Sequence, residues 1–341
     1  MNKIEVTRSA RVVEAAPGET VLSAALRAGI DYPHSCMTGK CGACKSRLIE
    51  GEVEHLEHKK FTLTDQEKSL GLMLACRAVA RTDIKVGWIS DDEVQALPGR
   101  HFGRITRKVR LTHDVWGIGI EIRSGSAFVF RPGQFAMLQI GQLPARSYSM
   151  ASQPNAKDLD FFVREVPNGL VSGYVGKTLE VGDEVSLKGP FGNSYLRRDH
   201  TGPILAVAGG SGLAPILSVV EGALRDGFKQ LIRLYFGVRE DRDVFLESRL
   251  SELERAFPNF SAKIVVDRGS QIPGRETGRV GDVVMNDLPS FEGDWRAYLA
   301  GPPPMVEGLM TALQIRGIEK GSIHADPFYM NQDDHNAEEA S

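Results

Sequence analysis

The stretch HSCMTGKCGAC, residues 34–44, holds three of the four cysteines in the chain, Cys36, Cys41 and Cys44. The fourth, Cys76, follows after 31 further residues, so the order is C-x4-C-x2-C and then one distant cysteine. A glycine lies in each gap of the loop, where the backbone must turn sharply and approach a bound group closely. The pattern predicts that one loop and one distant segment bring four thiols to a single centre.

The spacing of the four cysteines distinguishes between a 2Fe-2S cluster, a zinc site and disulfides. C-x4-C-x2-C with a distant fourth cysteine is the arrangement of plant-type 2Fe-2S clusters. Structural zinc sites favour two pairs of closely spaced ligands, and zinc is kept as the alternative. Disulfides are disfavoured because residues 1–18 are charged and lack the apolar segment of a secretory signal. We therefore predict that Cys36, Cys41, Cys44 and Cys76 bind a 2Fe-2S cluster.

Length and composition set the scale of the fold. A chain of 341 residues exceeds what one hydrophobic core usually holds and predicts two or three domains. The apolar share of 42%, the charged share of 25% and the net charge of -3 are typical of a soluble protein. We expect a cytoplasmic protein whose partners include neither nucleic acid nor a membrane.

The first 92 residues predict a small α+β domain. Residues 4–6 and 11–13 read as paired strands, residues 20–28 as a capped helix that ends at Gly29, and residues 46–49 and 84–86 as further strands. The polar residues 93–100 predict a linker to the next domain.

Residues 101–200 are rich in strand patterns, and residues 201–330 alternate strand and helix. Short strands are predicted at residues 103–111, 117–122, 135–140, 159–166 and 184–188. Their spacing favours an antiparallel barrel. The alternation after residue 201 predicts a parallel sheet with helices on both faces. The polar, acidic tail at residues 331–341 is expected to be disordered.

A glycine-rich turn follows the first predicted strand of the parallel sheet. Its sequence is GGSGLAP, with Gly209, Gly210, Ser211, Gly212 and Pro215. Glycines at the start of a helix let backbone amides approach a pyrophosphate closely. Such turns also occur as plain connections, and Pro215 replaces the last glycine of the usual G-x-G-x-x-G motif.

Two further motifs strengthen the case for a nucleotide site. Gly301 and Pro302 begin the turn GPPPM at the end of a later strand, where parallel sheets bind ligands. Upstream, Arg146, Tyr148 and Ser149 in RSYS combine a cation suited to phosphate with an aromatic ring and a hydroxyl. On its own, RSYS is also compatible with an ordinary barrel strand.

In this order, the motifs resemble those of one family over residues 1 to about 330. The motifs are the cysteine loop, PGQF at 132–135, RSYS at 146–149, GLVS at 169–172, GGSGLAP at 209–215, YFGVRE at 235–240 and GPPPM at 301–305. They are similar to those of reductases of aromatic-ring-hydroxylating oxygenases, most of all the naphthalene dioxygenase and salicylate hydroxylase type. The resemblance implies a β-grasp ferredoxin domain, an antiparallel β-barrel FAD domain and a parallel-sheet NAD(P) domain of the ferredoxin-reductase type.

The resemblance also implies roles for single residues. Arg146 would bind the FAD pyrophosphate, Tyr148 would stack on the flavin ring, and Ser149 would hydrogen-bond near its N5. Gly169 and Ser172 would cover the flavin phosphates from the start of a short helix. Two more residues are assigned from this resemblance, Arg164 to cofactor binding and Phe328 to shielding the other flavin face. A terminal aromatic that only plugs the core is the alternative for Phe328.

The implied activity is electron transfer from NADH through FAD and the 2Fe-2S cluster to a Rieske ferredoxin or a terminal oxygenase. Lys40, Lys45 and Arg47 near the cysteine loop are candidates for the docking face, with an ordinary solvated surface as the alternative. The reductase of a diiron monooxygenase shares every module and is the nearest alternative. A flavin and iron-sulfur sensor without turnover is the alternative of another class.

Two positions bear on which nicotinamide nucleotide is used and on its transfer of electrons to the flavin. Arg239 could accept the 2'-phosphate of NADPH, whereas Glu240 and Asp241 beside it would repel that phosphate, so NADH is favoured and NADPH stays possible. Most of the family has Cys before the Gly-Pro turn, and here that residue is Ala300. We expect a slower or differently poised transfer to flavin, not inactivity.

Overall fold

The computed structural model describes residues 1–30, 32–34, 36–40, 42–59, 62–88, 98–123 and 128–329. Cys41, the tail at 331–341 and most of the predicted linker lie outside these residues. The chain divides into two compact units. The first comprises Met1–Gly99 and Gly189–Asn193, and the second Arg100–Lys188 and the residues from Ser194 onward.

The first unit is a five-stranded sheet covered by a short helix. Its elements are β1 Asn2–Val6, β2 Arg11–Ala15, α1 Val21–Arg27, β3 Lys45–Glu50, β4 Val53–His55, α2 Asp65–Ser69, β5 Leu72–Leu74, β6 Ala78–Ala80 and β7 Ile84–Trp88. The order is β2-β1-β7-β3-β5, with β4 and β6 paired separately. Strands β1 and β7 are parallel and β1 and β2 antiparallel, which gives the predicted β-grasp arrangement.

Helix α1 shows how the sequence sets these elements. The Thr20 side chain accepts a hydrogen bond from the Ser23 amide and caps the helix. Gly29, at φ 71°, follows its end in the left-handed region. Val21, Leu22, Ala24 and Ala25 are fully buried against the sheet.

The second unit begins with the antiparallel barrel. Its elements are β8 Gly99–Arg110, β9 Val115–Ile122, β10 Phe135–Ile140, β11 Arg146–Ser149, β12 Leu159–Arg164, α3 Leu170–Lys177 and β13 Glu184–Phe191. The sheet order is β11-β10-β13-β8-β9-β12. Met150 forms an antiparallel bridge with Phe161, which joins the two end strands and closes the sheet. The predicted barrel is confirmed, although β8 starts at Gly99, inside the predicted linker.

The rest of the second unit is a six-stranded parallel sheet. Its elements are β14 Ile204–Gly209, α4 Leu213–Arg225, β15 Ile232–Val238, α5 Glu247–Ala256, β16 Phe260–Val266, β17 Glu276–Thr277, α6 Val280–Asp287, β18 Arg296–Gly301, α7 Pro303–Ile315 and β19 Ile323–Pro327. The order is β17-β16-β15-β14-β18-β19. The predicted parallel sheet is confirmed, with helices on both faces. No helix among the described residues is long and apolar enough to cross a membrane.

Candidate functional site

Three of the four predicted cluster ligands lie within the described residues. Cys44 and Cys76 are 3% and 4% exposed, and Cys36 is partly exposed. The Cys76 amide donates to Cys44 Sγ at 3.5 Å, and the Lys40 amide donates to Cys36 Sγ at 3.4 Å. Amide donors stabilise thiolates. Cys36 and Cys44, whose sulfurs each accept from a backbone N–H, therefore fit an iron-sulfur cluster.

The glycines of the cysteine loop are required by its geometry. Gly39 and Gly42 have φ of 75° and 77°, in the left-handed region. A Cβ on Gly39 would lie 2.8 Å from both Arg77 Cγ and His58 Cβ. The sequence prediction that these positions need residues without a side chain is confirmed.

Strand β11 presents the predicted flavin residues. Arg146 and Tyr148 alternate with Ser147 and therefore share one face of the strand. Tyr148 is half-buried and packs against the barrel core. Ser149 pairs in register with Phe135 of β10 and is 7% exposed. A half-buried aromatic ring beside a guanidinium fits a flavin with its pyrophosphate.

Helix α3 follows strand β12 in the chain, and no side chain caps its N-terminus. Gly169 is its N-cap residue. The amides of the first turn can therefore receive an anion. Ser172 is 8% exposed, and its hydroxyl accepts from the Val166 amide at 3.2 Å. A Cβ on Gly169 would lie 2.3 Å from Ser172 Oγ, so glycine is needed there.

A cavity of about 590 Å³ lies between the barrel and the carboxyl edge of the parallel sheet. Five of the predicted cofactor residues line it: Arg164, Gly209, Gly210, Arg239 and Pro302. The α7 helix contributes Met305 to its wall. A Cβ on Gly209 would lie 2.7 Å from Met305 Sδ and 2.7 Å from Pro302 Cδ. The glycine-rich turn and the GPPPM turn therefore approach so closely that only glycine fits between them.

Four other predicted residues do not line this cavity, namely Ser211, Gly212, Pro215 and Gly301. Gly212 packs on the neighbouring strand, since a Cβ there would lie 2.3 Å from the Ala300 carbonyl oxygen. Gly301 has φ of 141° and lies against Gly209. Pro215 is buried inside α4.

Arg164 reaches this cavity from barrel strand β12. Its Nη1 would lie 3.5 Å from a Cβ on Gly210, which places the guanidinium at the glycine-rich turn. Its Nε donates to Asp114 Oδ2 at 2.8 Å. Thr112 donates its hydroxyl to the other carboxylate oxygen at 3.0 Å. The sequence did not identify Asp114, which lies 50 residues away in the chain.

The acidic residues beside Arg239 do not line the cavity. The Glu240 carboxylate forms ion pairs with Arg242, at 2.8 Å, and with Arg268. Asp241 accepts from Arg275 Nη1 and Ser270 Oγ, both at 2.6 Å. The reason that the sequence offered for repulsion of a 2'-phosphate is therefore not supported by the structure.

Strand β19 brings a carboxyl group to the predicted flavin residue Ser149. The Ser149 hydroxyl donates to Asp326 Oδ2 at 3.2 Å. Burial raises the pKa of Asp326 to about 6, and the hydrogen bond from Ser149 partly opposes that rise. The following Phe328 is half-buried, and its amide donates to the Gly301 carbonyl oxygen at 2.8 Å. The sequence did not predict β19 or Asp326.

Three family models match successive parts of the chain. A 2Fe-2S iron-sulfur cluster binding domain matches residues 4–81. An oxidoreductase FAD-binding domain matches residues 103–195, and an oxidoreductase NAD-binding domain matches residues 206–310. The predicted fold class and the predicted cofactors are confirmed, whereas the domain boundaries and the single-residue roles stay predictions.

Two curated relatives cover almost the whole chain. The chain is 41% identical to the ferredoxin–NAD(P)(+) reductase component of the naphthalene 1,2-dioxygenase/salicylate 5-hydroxylase systems of Ralstonia sp, over 93% of this chain and 95% of the relative. It is 38% identical to the reductase component of the naphthalene 1,2-dioxygenase system of Pseudomonas putida, over 94% of this chain and 96% of the relative.

A solved structure agrees with both. The crystal structure of Amycolatopsis cytochrome P450 reductase GcoB superposes with a TM-score of 0.76 at 31% identity, covering 96% of this chain and 99% of that one. The order of the domains, the cysteine loop and the cavity at the carboxyl edge of the parallel sheet agree with these similarities. The chain therefore belongs to the ferredoxin–NAD(P)+ reductase components, enzymes that carry a 2Fe-2S cluster, FAD and a nicotinamide nucleotide site in one polypeptide.

Proposed function

We propose that this reductase supplies electrons from NADH to a ring-hydroxylating oxygenase system, through a Rieske ferredoxin or directly to the terminal oxygenase. The names of the relatives at 41% and 38% identity support this class of acceptor. When bound, the cofactors would supply the redox chemistry, namely an electron pair from the nicotinamide nucleotide, its acceptance by FAD and single-electron transfer by the cluster.

The nucleotide cavity is the observation that carries the proposal. Its lining combines Asp114 and Arg164 of the barrel with Gly209 and Pro302 of the parallel sheet. The glycine-rich turn and the Arg164 guanidinium would hold the pyrophosphate of a nucleotide bound there, since a guanidinium binds phosphate through charge-assisted hydrogen bonds. Asp114 orients that guanidinium through the 2.8 Å hydrogen bond to Nε.

The residues predicted to bind FAD act by positioning the cofactor. Arg146 would hold the FAD pyrophosphate, Tyr148 would pack against the ring, and the first turn of α3 at Gly169 would bind flavin phosphate. Ser149 and Phe328 belong to the reacting face of the flavin. The half-buried position of Phe328 after β19 supports its role as an aromatic cover that yields to the nicotinamide.

NADH is the proposed electron donor. The reason is the charge of the cavity lining, which replaces the argument from Glu240 and Asp241. Four carboxylates and three guanidinium groups line the cavity, so its lining carries a net negative charge: Asp114, Asp243, Asp267, Asp282, Arg164, Arg239 and Arg279. A further phosphate on the nucleotide is disfavoured in such surroundings. Arg239→Ala should leave the Michaelis constant for NADH nearly unchanged, and a large rise would assign Arg239 to binding of the nucleotide common to both donors.

The docking face for the acceptor is proposed to be the cysteine loop. The basic character predicted there is reduced, because Lys45 Nζ pairs with Glu67 at 2.8 Å. Met37 in the loop is 45% exposed and Arg47 is exposed on β3. These residues support a contact that is part apolar and part basic, as in transient electron-transfer encounters.

Reconstitution tests the acceptor class. The purified holoprotein and NADH are combined in turn with a Rieske ferredoxin plus ring-hydroxylating oxygenase, with that oxygenase alone, and with a diiron monooxygenase. The proposal expects product in one of the first two mixtures. Product only with the diiron monooxygenase would replace it with the monooxygenase reductase function. Reduction of an artificial acceptor by NADH serves as the control that the reductase itself is active.

A further inference from the structure

A buried hydroxyl pair lies directly behind the cysteine loop. The Tyr32 hydroxyl is 2.6 Å from Ser46 Oγ, and both residues are 0% exposed. Tyr32 precedes the loop, and Ser46 follows Cys44 by two residues on β3. Neither residue stands out in the sequence.

The direction of the hydrogen bonds follows from counting protons. Ser46 Oγ donates to the Cys44 carbonyl oxygen at 3.0 Å. A serine hydroxyl has a single proton, so in the 2.6 Å contact the Tyr32 hydroxyl is the donor and Ser46 Oγ the acceptor. The two hydroxyls therefore form a relay that ends on the backbone of a cluster cysteine.

The Cys44 carbonyl joins the two segments that carry the cysteines. It also accepts from the Ala75 amide at 3.1 Å, and the next amide, that of Cys76, donates to Cys44 Sγ at 3.5 Å. The relay from Tyr32 thus fixes the point where the cysteine loop meets the segment of the fourth cysteine. Buried hydrogen-bond networks of this kind are strengthened by the low local dielectric.

We propose that Tyr32 and Ser46 are positioning residues for the 2Fe-2S cluster, which hold Cys44 and Cys76 in ligating geometry and stabilise the reduced cluster. This inference rests on the assignment of the cysteines to the cluster. By fixing this junction, the relay keeps the Cys76 amide directed at Cys44 Sγ, and a hydrogen bond to a ligand sulfur favours the extra negative charge that a cluster gains on reduction. Substitution of a residue that hydrogen-bonds to a metal ligand commonly lowers metal affinity by about 10- to 100-fold.

The test compares the full-length holoprotein with Tyr32→Phe, Ser46→Ala and the double variant. Ser23→Ala is the matched control, because the side-chain hydrogen bond of this α1 serine, at 2.9 Å, is to Thr20 Oγ1 at the start of the helix in the same unit. The readouts are the cluster reduction potential from an EPR-monitored titration, the EPR spectrum, and the rate at which a chelator removes iron. Iron and sulfide content of the wild type first establishes that the cluster is present.

The proposal expects a more negative potential in Tyr32→Phe and Ser46→Ala, an altered EPR spectrum, and iron release roughly tenfold faster or more. The double variant should resemble Ser46→Ala, because the two hydroxyls act as one unit. Ser23→Ala should change none of these readouts. An unchanged or higher potential with unchanged iron release in the single variants would overturn the proposal, even if their melting temperatures fall. A wild type that assembles no cluster would instead refute the cysteine assignment.

Discussion

The Ser149 hydroxyl donates to Asp326 Oδ2 at 3.2 Å and so links strand β11 of the barrel to strand β19 of the parallel sheet. The carboxyl group is held where burial raises its pKa to about 6 from an ordinary value of 3.8. Ser149 is a predicted flavin residue, and Phe328 follows Asp326 by two positions. The contact therefore couples the position of the C-terminal strand to the predicted flavin site.

The raised pKa of Asp326 predicts a pH-dependent stability. Between about pH 4 and pH 6 the folded state keeps a proton that the unfolded state has lost, so stability falls as pH rises through this window. The loss is on the order of 2 kcal/mol. Asp326→Asn lacks this titration, so its melting temperature relative to wild type should rise from pH 4 to pH 6.5. A difference that does not change with pH would contradict the raised pKa.

Removal of the Arg164 guanidinium should weaken binding of the nucleotide. A hydrogen bond to a charged group contributes about 1.5–3 kcal/mol, so Arg164→Ala should raise the Michaelis constant for NADH by roughly 10- to 100-fold. Asp114→Asn should cause a smaller rise because it only orients Arg164. Arg123→Ala is the control, since this exposed barrel arginine pairs with Glu121 and lies outside the cavity lining. Equal Michaelis constants in wild type and Arg164→Ala would remove Arg164 from the site.

The glycine-rich turn has no room for a side chain at Gly209. Gly209→Ala forces a Cβ to within 2.7 Å of Met305 Sδ and Pro302 Cδ, and overpacking of this kind costs about 1–3 kcal/mol. We expect a lower melting temperature and a higher dissociation constant for NAD+ measured by calorimetry. Gly321→Ala has open space around the added Cβ and should change neither. Normal NAD+ affinity in Gly209→Ala would show that the close approach of the two turns is dispensable.

The parts of the fold that local patterns determine could be predicted from the sequence. Strand β10 matches its predicted bounds, and α1 has its predicted cap because Thr20 and Gly29 act locally. Strand β19 was missed because its five residues, IHADP, have no strand pattern, and only pairing with β18 makes them a strand. Helix α5 starts at Glu247, four residues after Asp243 closes a short 3-10 turn.

The same distinction between local patterns and distant contacts applies to the candidate site. The cysteines and glycine-rich turns were recognised because their chemistry depends on spacing within one segment. Contacts between distant segments could not be read from the sequence: Arg164 with Asp114, Ser149 with Asp326, and Tyr32 with Ser46. The pairing of Glu240 and Asp241 with arginines was missed for the same reason. Such pairs depend on which loops the sheets bring together.

Ala300 gives a test of the residue before the Gly-Pro turn. It is 1% exposed and pairs in register with Ala208 on the neighbouring strand. Restoring the thiol that most of the family has there, by Ala300→Cys, should accelerate flavin reduction by NADH in a stopped-flow experiment. Ala208→Cys adds the same atom to the partner position and should not accelerate it. Equal rates in wild type and Ala300→Cys would contradict the expectation.

An anaerobic spectroscopic titration of the holoprotein with NADH tests the central claim most directly. The account predicts that the flavin and cluster absorption both bleach, with uptake of about three electrons in total, two by FAD and one by the cluster. NADPH in a parallel titration should act more slowly. Bleaching of the flavin while the cluster stays oxidised would contradict the proposed electron path from nucleotide to cluster.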